Sequence, residues 1–316
     1  MTPTPLVSIV SPFYNEGQGV DLYYRSVTGF INNFPQARFE VICVDDGSRD
    51  DTLSRLQSIA LKDGRFRVVE LSRNFGKEAA LTAGIDFACG EAVIPLDADL
   101  QDPPELIADM ISQWQAGADV VVARRNDRSV DTFVKRKSAE WFYRLHNRMS
   151  SLAIPENVGD FRLMDRAAVD ALKQLPEQER FMKGLFAWVG FRTTTLEYAR
   201  RERSAGKSKF SGWKLWNFAL DGITSFSTIP LRIWTYIGLF IAMMSLAYAA
   251  FIVARTLITG VDVPGYASLI VVILFLGSLQ LISVGVLGEY IGRIYIESKR
   301  RPKYLVRRVY ENNDKS

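Results

Sequence analysis

Two long uncharged runs restrict this chain more than any other feature. From Ile233 to Ala254, and again from Val263 to Gly288, no Asp, Glu, Lys or Arg occurs. About 20 apolar residues in a helix cross the hydrocarbon core of a bilayer, and a helix satisfies its own backbone polar groups there. The connector Arg255–Gly265 carries only Arg255 and Asp262, whereas the outer flanks hold Arg200, Arg201, Arg203, Lys207, Lys209 and Lys214, then Lys299, Arg300 and Arg301. Cytoplasmic flanks carry the excess of Lys and Arg. The pattern therefore predicts a cytoplasmic body over 1–230, a two-helix transmembrane hairpin over 231–296 and a basic cytoplasmic tail over 297–316. Two buried helices of a soluble protein are the alternative. Glu289 and Arg293 stand i,i+4 at the inner end of the second run, where they can pair. The small faces at Gly277, Gly285 and Gly288 can pack against other copies of the chain.

Charge is segregated. The net charge of the 316 residues is +4, but 135–148, 200–214 and 297–316 alone carry +4, +5 and +4. Such patches suit an anionic partner: lipid, phosphate substrate or nucleic acid. His146 is the single histidine, which excludes multi-His metal sites and catalysis built on several histidines. Cys43 and Cys89 sit in apolar runs and read as reduced core residues. The N-terminus has no charged segment followed by an apolar one, so no cleaved signal peptide is expected.

The first 125 residues alternate short apolar runs with helical patterns. Leu6–Ser11, Phe39–Asp45, Arg67–Leu71, Ala92–Asp97 and Ala118–Ala123 are continuously apolar or nearly so, as in strands buried on both faces. Helical patterns lie near 18–33, 51–62, 76–89 and 104–116. This order predicts an α/β fold: a Rossmann-like, mostly parallel sheet flanked by helices. Two further stretches, 133–150 and 212–229, place Trp141 and Phe142, then Trp213 and Trp216, on one face of basic helices, which suits the headgroup region of a membrane.

Ligands of such sheets bind at the carboxyl ends of the strands, and three polar motifs stand there. Asp97-Ala98-Asp99 follows an apolar strand and precedes Gln101 and Asp102. In an extended chain i and i+2 point the same way, so both carboxylates can face one hard cation, Mg²⁺ or Mn²⁺. A diphosphate leaving group needs such a cation as its charge builds. Asp45-Asp46-Gly47-Ser48 can accept from a base N–H or a ribose hydroxyl; the plain alternative is a strand–turn–helix with an N-cap. In Ser11-Pro12-Phe13-Tyr14-Asn15-Glu16, Pro12 suggests a bend, Tyr14 a stacking face and Glu16 a carboxylate.

SPFYNE at 11–16, VDDGS at 44–48 and DADLQDPPE at 97–105 together resemble the family 2 glycosyltransferases of the GT-A fold, in order and spacing. SRNFGKEAAL at 72–81, GDFRLM at 159–164 and RSAGKSKFS at 203–211 resemble the branch that charges polyprenyl phosphates, which includes dolichol-phosphate mannose synthase and the bactoprenol glucosyltransferases. The resemblance implies that Pro12, Tyr14, Glu16, Asp45 and Asp46 hold the nucleoside, and that Asp97, Asp99 and Gln101 bind the metal. It implies that Arg124, joined by Lys135 or Arg136, meets the acceptor phosphate, and that Asp160 faces the reacting sugar. Arg73 and Lys77 would line the donor pocket, while Arg203, Lys207 and Lys209 would close over the donor phosphates. No Q-x-x-R-W motif occurs, which argues for a single transfer rather than a polymer.

The implied reaction is inverting transfer of one sugar, glucose from UDP-glucose, to undecaprenyl or another polyprenyl phosphate at the cytoplasmic membrane face. GDP-mannose, UDP-galactose and an aminoarabinose donor stay open, as does a hydroxyl lipid acceptor. A lipid phosphate is already anionic and needs no strong base. A membrane-tethered nucleic-acid-binding module would exploit the basic patches but would leave Asp97 and Asp99 without a use, so no nucleic acid is expected.

Overall fold

The computed structural model describes residues 4–125, 158–178, 180, 182–198, scattered positions between 234 and 258, and 265–312. The stretches 133–150 and 212–229 lie outside the described residues. The described positions between 234 and 258 are helical.

In chain order the elements are β1 (Leu6–Phe13), α1 (Gly17–Asn32), β2 (Arg38–Asp45), α2 (Thr52–Lys62), β3 (Phe66–Leu71), α3 (Lys77–Phe87), β4 (Ala92–Pro95) and α4 (Leu106–Gln115). Then come β5 (Val120–Arg125), β6 (Val158–Asp165), α5 (Arg166–Lys173), α6 (Met182–Trp188), β7 (Thr193–Tyr198), α7 (Tyr266–Ser298) and β8 (Val306–Tyr310). The eight strands form one sheet in the order β7-β5-β6-β4-β1-β2-β3-β8.

The sheet is mixed, with four parallel pairings and three antiparallel ones. β1–β2, β1–β4, β2–β3 and β5–β7 pair parallel. β6 enters antiparallel between β4 and β5, and β8 adds antiparallel to the β3 edge. Neither strand shows the apolar run of β1 to β5: β6 carries Asp160 and Arg162, and β8 holds two arginines in five residues.

Strand alternation sends side chains to two cores. Val7, Ile9, Val41, Cys43 and Val68 pack with α1, α2 and α4. Val10, Ile42, Val44 and Val69 pack with α3, α5 and α6. α3 lies close on the sheet: a Cβ at Gly84 would fall 2.2 Å from Val10 Cγ1. Cys43 is buried, but Cys89 is exposed, contrary to the core placement its apolar neighbours suggest. It lies beyond the C-cap of α3, in the link to β4, where its N–H donates to Glu40 Oε1 at 2.7 Å.

α7 contains Phe275–Ser298, a segment long and apolar enough to cross a membrane by length and composition, with none of its most apolar window buried in the fold. Its C-terminal end is tied to the sheet domain. Glu297 Oε1 accepts from Gln178 N–H (2.8 Å), Lys303 Nζ donates to Leu175 O (2.9 Å) and Tyr304 Oη donates to Asp86 Oδ2 (2.8 Å). β8 then completes the sheet.

Candidate active site

The loops after β1 and β2 are laced together. Asn15, at φ 53°, donates its N–H to Ser48 Oγ (3.0 Å), and its Oδ1 accepts from Arg49 N–H (2.8 Å). Asn tolerates this left-handed conformation better than most residues. The chain turns here, not at Pro12, which lies inside β1 in register with Val44. Tyr14 is exposed, presenting a ring face. Glu16 is the N-cap residue of α1, and its N–H donates to Thr52 Oγ1 at 2.9 Å.

Asp45 and Asp46 are both buried and do different work. Asp46 accepts from Phe75 N–H at 2.7 Å and from Gly76 N–H at 2.9 Å, one per oxygen. Its carboxylate therefore clasps the loop that leads into α3. Asp45 Oδ2 accepts from Ser48 N–H at 3.2 Å, while Oδ1 is buried without a hydrogen-bond partner. Of the two, Asp45 is the one that keeps an acceptor oxygen without a partner. Gly47, at φ 66°, seals the clasp: a Cβ there would fall 2.6 Å from Arg73 C and Asn74 N. Arg73 is exposed, its guanidinium 4.3 Å from the Phe75 ring centroid.

β4 ends at Pro95, and Asp97–Leu100 forms a turn closed by Leu100 N–H donating to Asp97 O at 3.2 Å. Leu100 takes φ 51°. The strand alternation expected for Asp97 and Asp99 is thus replaced by a turn. Gln101 is buried and donates Nε2 to Asp99 Oδ2, so it orients Asp99. Asp102, also buried, receives the Tyr198 hydroxyl at the end of β7. That anchor for the loop was not visible in the sequence.

Lys77, the first residue of α3, connects the two halves of the site. Its Nζ lies 2.8 Å from Asp97 Oδ1, 2.9 Å from Asp97 Oδ2 and 2.9 Å from Asp160 Oδ2. Burial works against the ammonium, but the two carboxylates outweigh it and raise Lys77 above its ordinary value. Burial also raises Asp97, with Lys77 opposing and the Asp160 and Asp99 charges adding. For Asp160 burial is outweighed by Lys77 and Lys183, which hold its carboxyl below the usual range. Asp160 Oδ1 is buried with no hydrogen-bond partner. Beneath it, burial and then the Asp160 charge push Glu78 up to about 7. Arg162, two residues along β6 from Asp160, is buried with its guanidinium 4.0 Å from the Phe186 ring centroid. Glu78 and Arg162 were missed in the sequence, although both stand inside motifs read there.

Arg124 is exposed at the carboxyl end of β5, in register with Val158, two residues before Asp160. Lys135, Arg136, Arg203, Lys207 and Lys209 lie outside the described residues. Among the described residues no group of three or more His, Cys, Asp and Glu is placed to hold a metal ion. Asp97 and Asp99 still fit a magnesium-type cation, which takes one or two carboxylates and completes its shell with phosphate and water oxygens.

Residues 8–173 match the family model Glycosyl transferase family 2, a span that holds the β1, β2 and β4 loops, Lys77 and Asp160. The chain belongs to glycosyl transferase family 2. Residues 229–294 of this glycosyltransferase match a second model, GtrB C-terminal hairpin. The SfII prophage-derived bactoprenol glucosyl transferase of Shigella flexneri is 55% identical over 307 residues, covering 97% of this chain and 99% of the relative. The prophage bactoprenol glucosyl transferase homolog of Escherichia coli (strain K12) is 54% identical, covering 96% and 99%. The putative glycosyltransferase CsbB of Bacillus subtilis (strain 168) is 43% identical, covering 96% and 91%.

Proposed function

We propose that this glycosyltransferase moves a single glucosyl unit from UDP-glucose to a polyprenyl phosphate at the cytoplasmic face of a membrane. The observation that carries this reading is the 55% identity to a bactoprenol glucosyl transferase over 97% of the chain. The geometry supplies the means. Tyr14 offers a stacking face for the base and Asp45 Oδ1 an acceptor. Asp46 fixes the Phe75–Gly76 backbone between Arg73 and Lys77, the two cations assigned here to the donor diphosphate. Asp97 and Asp99 are the proposed ligands of Mg²⁺ or Mn²⁺, with Gln101 orienting Asp99. A bound cation would neutralise charge on the departing diphosphate.

Asp160, whose Oδ1 has no hydrogen-bond partner, is assigned to accept from a sugar hydroxyl and so orient the ring. Arg124 receives the acceptor phosphate, with Lys135 or Arg136, and Arg203, Lys207 and Lys209 cover the donor phosphates. Positioning two anions against each other is the main task. The phosphate oxygen attacks the anomeric carbon opposite the leaving group, so configuration inverts.

We place the catalytic body at 1–230, two membrane helices within 231–296 and the remaining chain on the cytoplasmic side. Support comes from the two uncharged runs, the basic flanks, the apolar Phe275–Ser298 segment and the hairpin match over 229–294. A donor panel tests the sugar: detergent-solubilised full chain with polyprenyl phosphate and UDP-glucose, GDP-mannose, UDP-galactose or an aminoarabinose donor. UDP-glucose is expected to give the fastest lipid-linked product; a faster reaction with another donor overturns the glucose assignment.

A further inference from the structure

We propose that Lys77 and the divalent cation are alternative partners of Asp97, so that Lys77 holds down the affinity of the site for free cation. This rests on the reading of Asp97 and Asp99 as metal ligands. Lys77 Nζ is nearly equidistant from the two Asp97 oxygens, at 2.8 and 2.9 Å, so one ammonium engages both oxygens that a cation would need. The same Nζ is 2.9 Å from Asp160 Oδ2, on β6 and 83 positions away in sequence. One positive charge thus bridges two carboxylates, and a third, Asp99, is close enough to raise Asp97.

A cation that takes Asp97 must displace Lys77 from it, against a contact that already offsets the charge. Once displaced, Lys77 would keep Asp160 as its partner and be free to meet a second anion. The diphosphate supplies the oxygens the protein lacks and a second anionic partner for the released ammonium. Free cation therefore binds weakly, and the cation–nucleotide pair binds well. Lys77 is a positioning residue in this scheme: it holds Asp160 in place throughout and changes partner at Asp97. The helix is built to keep it there, since Asp46 fixes Phe75 and Gly76 immediately before it.

The test is Mn²⁺ titration of full chain in detergent, read by the electron paramagnetic resonance of free Mn²⁺, with and without UDP. Without UDP, Lys77→Gln is expected to bind Mn²⁺ about tenfold more tightly than the native chain, because Asp97 and Asp160 lose their cation. Lys77→Arg, which keeps the charge, is expected to stay near native. In the native chain UDP is expected to tighten Mn²⁺ binding by about tenfold or more, a synergy that needs no variant and holds even if Lys77→Gln fails to fold. Equal or weaker Mn²⁺ binding by folded Lys77→Gln overturns the proposal, and so does native binding that ignores UDP. If the native chain with UDP binds no Mn²⁺, or Asp99→Ala binds it as well as native, the metal assignment falls and takes the proposal with it.

Discussion

Asp46 holds the two backbone N–H groups that precede α3, Phe75 at 2.7 Å and Gly76 at 2.9 Å, across about thirty residues of sequence. Through that contact the turn after β2 decides where Arg73 and Lys77 stand. Asp46→Asn would set an amide nitrogen against one of the two donors. The expected cost is about 1–3 kcal/mol of stability, the range for leaving a buried polar group unsatisfied, with a raised KM for the nucleotide sugar. Denaturant unfolding and steady-state kinetics check it; a native midpoint with native KM contradicts the clasp.

Glu70 of β3 is buried and satisfied from β8, by Arg307 Nη1 at 3.1 Å and Tyr310 Oη at 2.8 Å. Tyr310→Phe removes one donor from a buried carboxylate. The expected loss is about 1–2 kcal/mol in thermal or chemical unfolding. An unchanged unfolding midpoint would mean that the Tyr310–Glu70 hydrogen bond adds nothing to stability.

Glu78 gives a pH-dependent signature. Its value rises from 4.5 to about 7 on folding, chiefly by burial. The folded chain thus favours the protonated form. That contribution to stability is full below pH 4.5 and is lost as pH rises through about 7. Glu78→Gln, permanently neutral, is expected to be more stable than native by about 1–3 kcal/mol at pH 8. The gap narrows as pH falls through 7 and closes near 4.5. Unfolding curves at pH 8, 6.5 and 5 check this; a gap that stays constant with pH contradicts it.

Asp160→Asn keeps the shape of the side chain and halves the charge that Lys77 meets. If Asp160 orients a sugar hydroxyl, kcat is expected to fall by about 10²-fold, the low end for loss of one positioned polar group in catalysis. Retained turnover with unchanged donor preference contradicts that role.

Whereas β7, which is parallel to β5, is half-exposed TTTLEY and gave no apolar run, strands β1 to β5 were legible because they are buried on both faces and therefore read as apolar runs. The three strand-end motifs were legible for the same reason, as polar residues directly after those runs. β6 was not, because Asp160 and Arg162 break its apolar pattern. β8 was not, because an edge strand can carry Arg307 and Arg308 outward. Adjacent carboxylates in VDDGS gave no sign of which would turn toward the Phe75 and Gly76 amides. The Lys77–Asp160 contact joins residues 83 positions apart and has no local signature at all.

The most direct measurement is the mass of the lipid formed when full chain, UDP-glucose and Mg²⁺ are given undecaprenyl phosphate and diacylglycerol together. A single hexose on the phosphate lipid, in the anomeric configuration opposite to the donor's and lost in Asp99→Ala, is the predicted result. Glucosylated diacylglycerol with the phosphate lipid untouched, or several hexoses on one lipid, would contradict it.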